Sequence, residues 1–371
     1  MTIISASYLD AASAEPLHPA ARDVLEAALA RGWADPRRRH APGRDARLLL
    51  DNARAAIAEC LEVDPEEVGF TASGTSAVHR GLLGLTASSG RGGIVHTAVE
   101  HSAVLHALAW REHDAHAAVG VDRTGRVDVE ALAAAARVDG VGAVAVQAGN
   151  QEIGTLQPVD ELDVPAGVPV FMDAAAAVGR GPLPRRWSVL AASARKWGGP
   201  SGVGVLVVRR GTRWRNPFPG EDAVDESPFP DVPAALAAAA ALQAVLAESA
   251  ETAPRQHALI DRARAALAEV PDLELVGDPV HRLPHVLTFS CLYVAGDELV
   301  DALARRGYAV ASGSACTAST LEPSHVLAAV GALTHGNVRV SVGRDTEEAD
   351  VDGLCRAVTE IVADIRSREG L

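Results

Sequence analysis

Residues 169–208 read PVFMDAAAAVGRGPLPRRWSVLAASARKWGGPSGVGVLVV, and this stretch decides the fold class. It contains three short runs of β-forming residues, at 169–172, 189–191 and 203–208, which are separated by small, polar, glycine and proline residues. Runs that are apolar on both faces are typical of strands buried inside a sheet. The stretch therefore predicts three strands of a buried sheet.

The same pattern continues outward along the chain. Further strand-like runs lie at 94–96 and 143–146, and helical stretches rich in alanine and leucine, such as 129–137, separate several of the runs. Strands that alternate with helices indicate an α/β layer fold with a largely parallel sheet. Ligands of such folds bind at the carboxyl ends of the strands.

A second, smaller group of β-rich runs follows towards the C-terminus. The two groups are separated by a proline- and acid-rich loop at 222–233, an alanine-rich helix and a helix at 255–269. We therefore expect a large domain of residues 13–249 and a smaller α/β domain made of 1–12 and 250–371. The later runs lie at 273–276, 286–289 and 338–342.

Composition limits the classes of function. The chain has 371 residues, of which 48% are hydrophobic and 22% charged, as in a globular protein with a large core. Its formal net charge of -14 repels nucleic acid and anionic membranes, so neither direct nucleic-acid binding nor membrane association is expected. No secretion signal is visible at the N-terminus, and the four cysteines are scattered, which predicts a cytoplasmic protein without disulfides or a metal site.

One basic residue differs from all the others. Of the 34 lysine and arginine residues, Lys196 is the single lysine and the other 33 are arginines. Arginine can replace the charge of lysine but not its nucleophilic amine. Lys196 follows the strand-like run 189–193 and precedes a glycine-rich turn at 198–202, which is a suitable place for an amine that bonds covalently to a cofactor. An ordinary surface lysine is the alternative.

Three further groups fit a cofactor that carries a ring and a phosphate. Asp173 ends a strand-like run and could pair with a protonated pyridine nitrogen, or simply cap a helix. Residues 70–76, which include Gly74 and Thr75, open an expected helix whose free N–H groups suit a phosphate, although capping alone also explains them. His101 could stack on an aromatic ring or move protons, or be structural.

Cys316 is the candidate nucleophile. It stands in residues 311–320, ASGSACTAST, among small residues that cannot bury it firmly. We expect an accessible thiol there, as a nucleophile that must reach a cofactor requires. The alternative is an inert, partly buried thiol, which suits Cys60, Cys291 and Cys355 better.

Together these segments resemble the cysteine desulfurases, with motifs in the same order and spacing along nearly the whole chain. The motifs are YLDAA at 8–12, EH at 100–101, NQEIG at 150–154, Asp173, Lys196, SGSACT at 312–317 followed by LEPSHVL at 321–327, and VRVSVGR at 338–344. The last two of these motifs, around Cys316 and at 338–344, are highly specific.

The resemblance implies a fold-type I enzyme, similar to aspartate aminotransferase, that uses pyridoxal 5'-phosphate and forms a homodimer. It implies that Lys196 binds the cofactor and moves protons, that Asp173 pairs with the pyridine nitrogen and that His101 stacks on the ring. Arg339 would hold the substrate carboxylate as a bidentate fork. The remaining cofactor-binding residues are Gly74, Thr75, Ser193, Arg195 and Gln151, the last of which also binds substrate.

The implied reaction takes sulfur from L-cysteine. The thiolate of Cys316 attacks the substrate sulfur, so that L-alanine is released and a persulfide remains on Cys316. The persulfide sulfur then goes to an acceptor protein or enzyme that the sequence does not name.

Four positions depart from the family pattern. Gln151 replaces an asparagine, Ala176 a glutamine that binds the cofactor's phenolic oxygen, Arg195 a phosphate-binding histidine, and Asp231 a threonine expected to reach the partner subunit's phosphate. Arg195 could take over phosphate binding, and the longer Gln151 could reach the oxygen that Ala176 cannot. We therefore expect a specialised member rather than a housekeeping one, an expectation that the short C-terminus after the last helix also favours.

Two alternatives stay open. One is a carbon-sulfur lyase acting on cysteine or cystine, or a selenocysteine lyase, neither of which needs Cys316. The other is a non-catalytic relative that binds a partner protein, although such a chain has little reason to retain its one lysine at position 196.

Overall fold

The computed structural model describes residues 7–89, 92–111, 116–219, 224, 230–312 and 323–370. Within this part of the chain, helices surround two sheets and a short pair of strands. The strands are β1 (Ser7–Tyr8), β2 (Val68–Thr71), β3 (Gly93–Thr97), β4 (His116–Val119), β5 (Val141–Gln147), β6 (Val170–Asp173), β7 (Val189–Ser193), β8 (Gly204–Val208), β9 (Leu273–Val276), β10 (Val286–Cys291), β11 (Tyr308–Ala309) and β12 (Asn337–Ser341). The helices are α1 (Pro19–Leu29), α2 (Ala41–Leu61), α3 (Gly74–Ser89), α4 (Ser102–Ala109), α5 (Val129–Ala136), α6 (Val232–Leu267), α7 (Gly296–Arg305), α8 (His325–Val330) and α9 (Glu348–Glu369).

The larger sheet has seven strands in the order β2-β8-β7-β6-β5-β3-β4. The neighbouring strands β7, β6, β5, β3 and β4 run parallel to one another, whereas β8 runs antiparallel to both β7 and β2. The prediction of an α/β fold with a mainly parallel sheet is therefore confirmed. All residues of β3, β5, β6 and β7 are buried, which explains why their sequences are apolar on both faces.

The parallel strands bring four polar residues to one edge of the sheet. Thr97, Gln147, Asp173 and Ser193 are the last residues of β3, β5, β6 and β7. Gln147 is the register partner of Asp173 on the neighbouring strand. This edge is where α/β folds bind ligands, so the candidate site is expected there.

The smaller sheet, β12-β10-β9, is antiparallel and has an apolar core of its own. That core combines Leu9 with side chains from Leu259 to Ile365. The short β1 pairs in parallel with β11, so the N-terminal segment joins the C-terminal part of the fold. This agrees with the grouping of 1–12 with 250–371, although the exact limits of the domains remain a prediction.

The long helix α6 corrects one sequence prediction. Residues 255–269 were expected to form a separate helix, but α6 runs without interruption from Val232 to Leu267 with Pro254 in its interior. The first half of α6 packs in the core of the large sheet, and the second half packs from Leu259 onward in the core of the smaller sheet. Packing on both sides of the exposed Pro254 offsets its missing N–H bond. By length and composition alone α6 could cross a membrane, but half of its most apolar 18-residue window is buried inside the protein, as in a core helix.

Candidate active site

A cavity of about 270 Å3 opens at the carboxyl edge of the large sheet. Its walls come from the segments that follow β3, β5, β6 and β7 and from the first turn of α3. Of the predicted site residues in the described part of the chain, all except Arg339 line it, namely Gly74, Thr75, His101, Gln151, Asp173, Ser193, Arg195 and Lys196.

Lys196 lies on a single helical turn, Ala194–Trp197, directly after β7. Gly198 ends the turn with φ 77°, a conformation that favours glycine, and its amide donates to the main-chain oxygen of Ala194. The amine Nζ of Lys196 donates to the main-chain oxygen of Ala12. The turn thus presents the amine at the cavity wall, between the large sheet and the N-terminal segment.

Asp173 lies at the tip of β6 and is buried. Its Oδ1 accepts a hydrogen bond from the main-chain N–H of Ala175 (2.9 Å), so the carboxyl group caps a turn at 175–180, whereas the helix that the capping alternative required does not follow it. Burial raises the pKa of Asp173, and the nearby His101 and Lys196 oppose that rise. A buried acid with the cation of Lys196 nearby, facing a cavity, suits a protonated ring nitrogen.

His101 is held in one orientation. It caps the N-terminus of α4, and its Nδ1 accepts a hydrogen bond from the main-chain N–H of Ala103 (3.0 Å). Nδ1 is therefore the unprotonated nitrogen, and Nε2 carries the hydrogen of the neutral ring. Burial lowers the pKa of His101, against the opposite effect of Asp173. The structural and the catalytic readings of this histidine are thus compatible.

The first turn of α3 forms a cradle that only small residues can line. A Cβ atom added to Gly74 would lie 2.6 Å from Cβ of Ser193, and one added to Gly204 would lie 2.1 Å from the main-chain oxygen of Ser73. The first amides of a helix have no partner within the helix and bind anions well. With Thr75 and Ser193 at the same place, the donor set fits a phosphate group.

The departures from the family pattern fall at different places. Gln151 and Ala176 line the same cavity, with the Gln151 side chain largely buried. Arg195 also lines the cavity, but it is exposed overall, as a residue at the entrance would be. Asp231 caps α6, where its Oδ1 accepts from the main-chain N–H of Ala234 (3.0 Å). The proposed compensation of Ala176 by Gln151 stays a prediction.

Arg339, the predicted group for the substrate carboxylate, is not in the cavity wall. It lies on β12 and is only 2% exposed. Its Nη2 donates to Oδ1 of Asp10 (2.9 Å) and to Oγ of Ser13 (2.6 Å), and its Nη1 donates to the main-chain oxygen of Gln151 (2.9 Å). A substrate carboxylate would have to exchange places with Asp10, so the substrate-binding role of Arg339 stays a prediction.

Cys316 lies outside the described residues, but both ends of its segment contact the site. Ala311 and Arg339 exchange two main-chain hydrogen bonds (3.2 and 2.7 Å), and His325 donates from Nε2 to the main-chain oxygen of Glu100 (2.9 Å).

The sequence analysis missed two buried acids beside the site. Glu100 and Glu152 both belong to quoted motifs, but no role was assigned to either side chain. Burial raises the pKa of Glu100 to about 8 and that of Glu152 to about 7, the latter against a hydrogen bond with Ser324 and the charge of Arg339. The signal available in the sequence was that each glutamate stands inside one of the quoted motifs, EH at 100–101 and NQEIG at 150–154.

The comparisons with known proteins agree with this geometry. The model of the aminotransferase class-V family matches residues 7–354. An IscS-like cysteine desulfurase of Mycobacterium tuberculosis is 37% identical, over 97% of this chain and 97% of that protein. The cysteine desulfurase NifS of Azotobacter vinelandii is 35% identical, over 90% of this chain and 87% of that protein. Among solved structures, a NifS-like protein has a TM-score of 0.88 at 24% identity and covers 97% of this chain and 100% of that chain, which shows a shared fold.

Proposed function

The chain belongs to the aminotransferase class-V family and, within it, to the cysteine desulfurases, and from this premise we propose that it takes sulfur from L-cysteine with pyridoxal 5'-phosphate as its cofactor. The observation that carries the proposal is the position of Lys196. The only lysine of the sequence lies at the wall of the same cavity as Asp173 and the phosphate-sized cradle at Gly74. An amine, an acid and an anion site are not expected to lie together at one sheet edge by chance.

The residues of the cavity fit the cofactor group by group. When bound, pyridoxal phosphate supplies an aldehyde that condenses with amines and a protonated ring that withdraws electrons. Lys196 would hold the aldehyde, and Asp173 the ring nitrogen. The first turn of α3, with Ser193 and Arg195, would hold the phosphate.

The protein side chains then divide the proton chemistry. The amine of Lys196 would take and return protons at the reacting carbon of the substrate. His101, neutral and fixed through Nδ1, presents Nε2–H as a donor towards the cavity. Asp173 keeps the negative charge that stabilises the protonated ring nitrogen.

Sulfur leaves by attack of the Cys316 thiolate on the sulfur of L-cysteine. A sulfur-sulfur bond forms and the carbon-sulfur bond of the substrate breaks, and its electron pair stays on the carbon. That carbon takes up a proton and becomes the methyl group of L-alanine. The thiol of Cys316 becomes a persulfide, whose outer sulfur passes to an acceptor protein or enzyme.

We also infer that the protein is a specialised, cytoplasmic homodimer. The departures at Gln151, Ala176, Arg195 and Asp231 support a narrow acceptor or altered cofactor electronics. The scattered cysteines support a reducing compartment, and the family resemblance supports a dimer. A dimer mass in analytical ultracentrifugation and slow cluster assembly on a standard iron-sulfur scaffold are the expected results, and a monomer or normal assembly rates would contradict them.

The activity is tested by incubating the purified protein with L-cysteine and a reducing thiol. We expect stoichiometric L-alanine and sulfide, and no pyruvate. The Cys316→Ser variant should lose this activity while it still binds the cofactor, because the persulfide cannot form. Intact turnover by Cys316→Ser would favour a carbon-sulfur or selenocysteine lyase, and a protein that never binds the cofactor would favour the non-catalytic alternative.

A further inference from the structure

A buried carboxyl group lies beneath the cavity and has no part in the function proposed above. Glu100 immediately precedes His101, and its side chain is 0% exposed. Its Oε1 accepts hydrogen bonds from Oγ1 of Thr97 (2.6 Å) and from the main-chain N–H of Gln147 (3.1 Å). Thr97 and Gln147 are the last residues of β3 and β5, so the carboxyl group is fixed between two neighbouring strand ends.

Two buried acceptor atoms in this cluster lack a donor. Among the described residues, no hydrogen-bond partner reaches Oε2 of Glu100 or Oε1 of Gln147. The side-chain amide of Gln147 cannot be turned round, because its Nε2 donates to the main-chain oxygen of Val99 (2.8 Å), and a carbonyl oxygen only accepts. Buried acceptors without donors are costly, so a second explanation for their presence is needed.

A proton on Glu100 would satisfy both atoms. A protonated carboxyl group has one O–H donor and keeps its other oxygen as an acceptor. Oε1 of Glu100 would retain its two bonds, to Thr97 and Gln147, and Oε2–H would become a donor. The side chain of Gln147, whose main chain already binds the same carboxyl group, would supply the acceptor.

Electrostatics favours the same protonation state. Burial raises the pKa of Glu100 to about 8 against the lowering effect of the hydrogen bonds from Thr97 and Gln147, and the negative charge of Asp173 adds to the rise. The titratable groups that face Glu100 are Asp173 from β6, His101 beside it and His325 from α8, whose Nε2 donates to the main-chain oxygen of Glu100. Two neighbouring carboxyl groups in a dry site do not ionise together readily, and Asp173 is the one that has Lys196 as a neighbour.

We propose that Glu100 is a positioning residue whose carboxyl group stays protonated and donates a hydrogen bond to Oε1 of Gln147, so that Asp173 keeps the negative charge at the cavity. The pair joins the ends of β3 and β5 at the floor of the site with neutral hydrogen bonds. It also fixes the main chain from which His101 projects. The inference rests on the proposed function only for the identity of the group that Asp173 faces.

The Glu100→Gln variant tests the protonation state directly. Its amide can reproduce the pattern of a protonated acid, with one oxygen as acceptor and Nε2–H as donor to Gln147. In the wild type the folded pKa lies above the unfolded one, so the folded state binds an extra proton between about pH 4.5 and 8 and loses stability as the pH rises through this window. Glu100→Gln removes that loss.

We therefore expect the thermal midpoint of Glu100→Gln to match the wild type near pH 5 and to exceed it by several degrees near pH 8. The C=O stretch of a protonated carboxyl group should appear in the infrared spectrum of the wild type at pH 7 and be missing in the variant. Parallel midpoint curves, or an infrared spectrum without that difference, would overturn the proposal.

A second variant tests whether the proton positions the site. Glu100→Leu has a similar shape but no hydrogen bonds, and it leaves Oγ1 of Thr97 and the main-chain N–H of Gln147 without the carboxyl oxygen that accepts from them, so we expect cofactor affinity to fall about tenfold. In the wild type the absorption of the lysine-bound cofactor should change with a transition near pH 8 that Glu100→Gln lacks. Equal cofactor affinity in all three proteins would contradict a positioning role.

These results separate failure of the inference from failure of the proposed function. If the wild type binds no pyridoxal phosphate, the proposed function fails, but the infrared and thermal measurements still decide whether Glu100 is protonated. If the wild type binds the cofactor and Glu100→Gln is less stable than it at pH 8, the inference alone is wrong.

Discussion

Lys196 and Arg339 are the two cations to which the proposed reaction gives the largest roles, and the protein surrounds them differently. Lys196 lies on a single turn after β7, at the wall of the cavity, and its amine donates to the main-chain oxygen of Ala12. Arg339 is buried on β12 and pairs with the carboxylate of Asp10. One cation faces the cavity, whereas the other is neutralised by the protein itself.

The difference separates two kinds of functional residue. An amine that must form and break a covalent bond is placed at the wall of the cavity, on a short turn between the sheet and a glycine-rich segment. A guanidinium that ties the N-terminal segment to β12 and to the main chain of Gln151 contributes to stability as well. Replacing Lys196 should therefore affect chemistry alone, and replacing Arg339 should affect both chemistry and folding.

The largest effect is expected for Lys196→Arg, which keeps the charge and removes the nucleophilic amine. Turnover of L-cysteine should fall by at least about a thousandfold, and the absorption of the lysine-bound cofactor should be lost, with a thermal midpoint close to that of the wild type. The control is the double variant Arg195→Lys, Lys196→Arg, which keeps one amine but moves it to an exposed position. Recovery of activity in this double variant would contradict the account.

Arg339→Leu comes next and should act on both substrate binding and stability. We expect kcat/KM for L-cysteine to fall about a hundredfold, since a charge-assisted pair is lost, and the free energy of unfolding to fall by about 1–3 kcal/mol because Asp10 loses its partner. Arg368→Leu, which breaks an exposed ion pair with Glu298, is the matched control and should change neither by much. An unchanged KM would remove Arg339 from the substrate site.

A smaller effect is expected when the phosphate cradle is filled. The added methyl group of Gly74→Ala must displace Ser193, so affinity for pyridoxal phosphate should fall about tenfold, with a loss of roughly 1–3 kcal/mol in stability. Gly120→Ala, where no atom lies within 4 Å of the added Cβ, provides the control. Titration with the cofactor measures the affinities, and equal values would show that the cradle holds something else.

The smallest effect tests the neutralisation of Arg339 itself. Asp10→Asn removes the internal carboxylate that competes with the substrate, so the KM for L-cysteine should fall about threefold while stability drops by up to about 1 kcal/mol. A rise in KM would mean that Asp10 orients Arg339 for the substrate instead of competing with it. Steady-state kinetics at constant ionic strength decide between the two.

The position of Lys196 at a strand end, which is one side of this comparison, could be predicted from the sequence. Buried strands such as β6 and β7 are marked by local runs of apolar residues, and the residue after a strand is then fixed in space by the parallel sheet. Asp173 and Lys196 could be placed together for this reason. The scarcity of lysine strengthened the prediction of a cofactor-binding amine, because Lys196 is the single lysine of the sequence.

The surroundings of Arg339, the other side of the comparison, could not be predicted, because its contacts are with residues distant in sequence. Asp10 and Arg339 are 329 residues apart, and nothing local in either segment announces their pairing. The same holds for Glu100, which is buried only because the ends of β3 and β5 close over it. The continuity of α6 through Pro254 likewise depends on the two cores that pack against its first and second halves.

The central claim, that Lys196 and Cys316 cooperate in sulfur transfer, is tested most directly by mass spectrometry. The protein with bound cofactor is incubated with L-cysteine in the absence of reducing thiol, and its intact mass and peptides are measured. We predict an added mass of about 32 Da, that of one sulfur atom, located on Cys316 and absent in Lys196→Arg. Formation of L-alanine without any sulfur adduct on Cys316 would contradict the account.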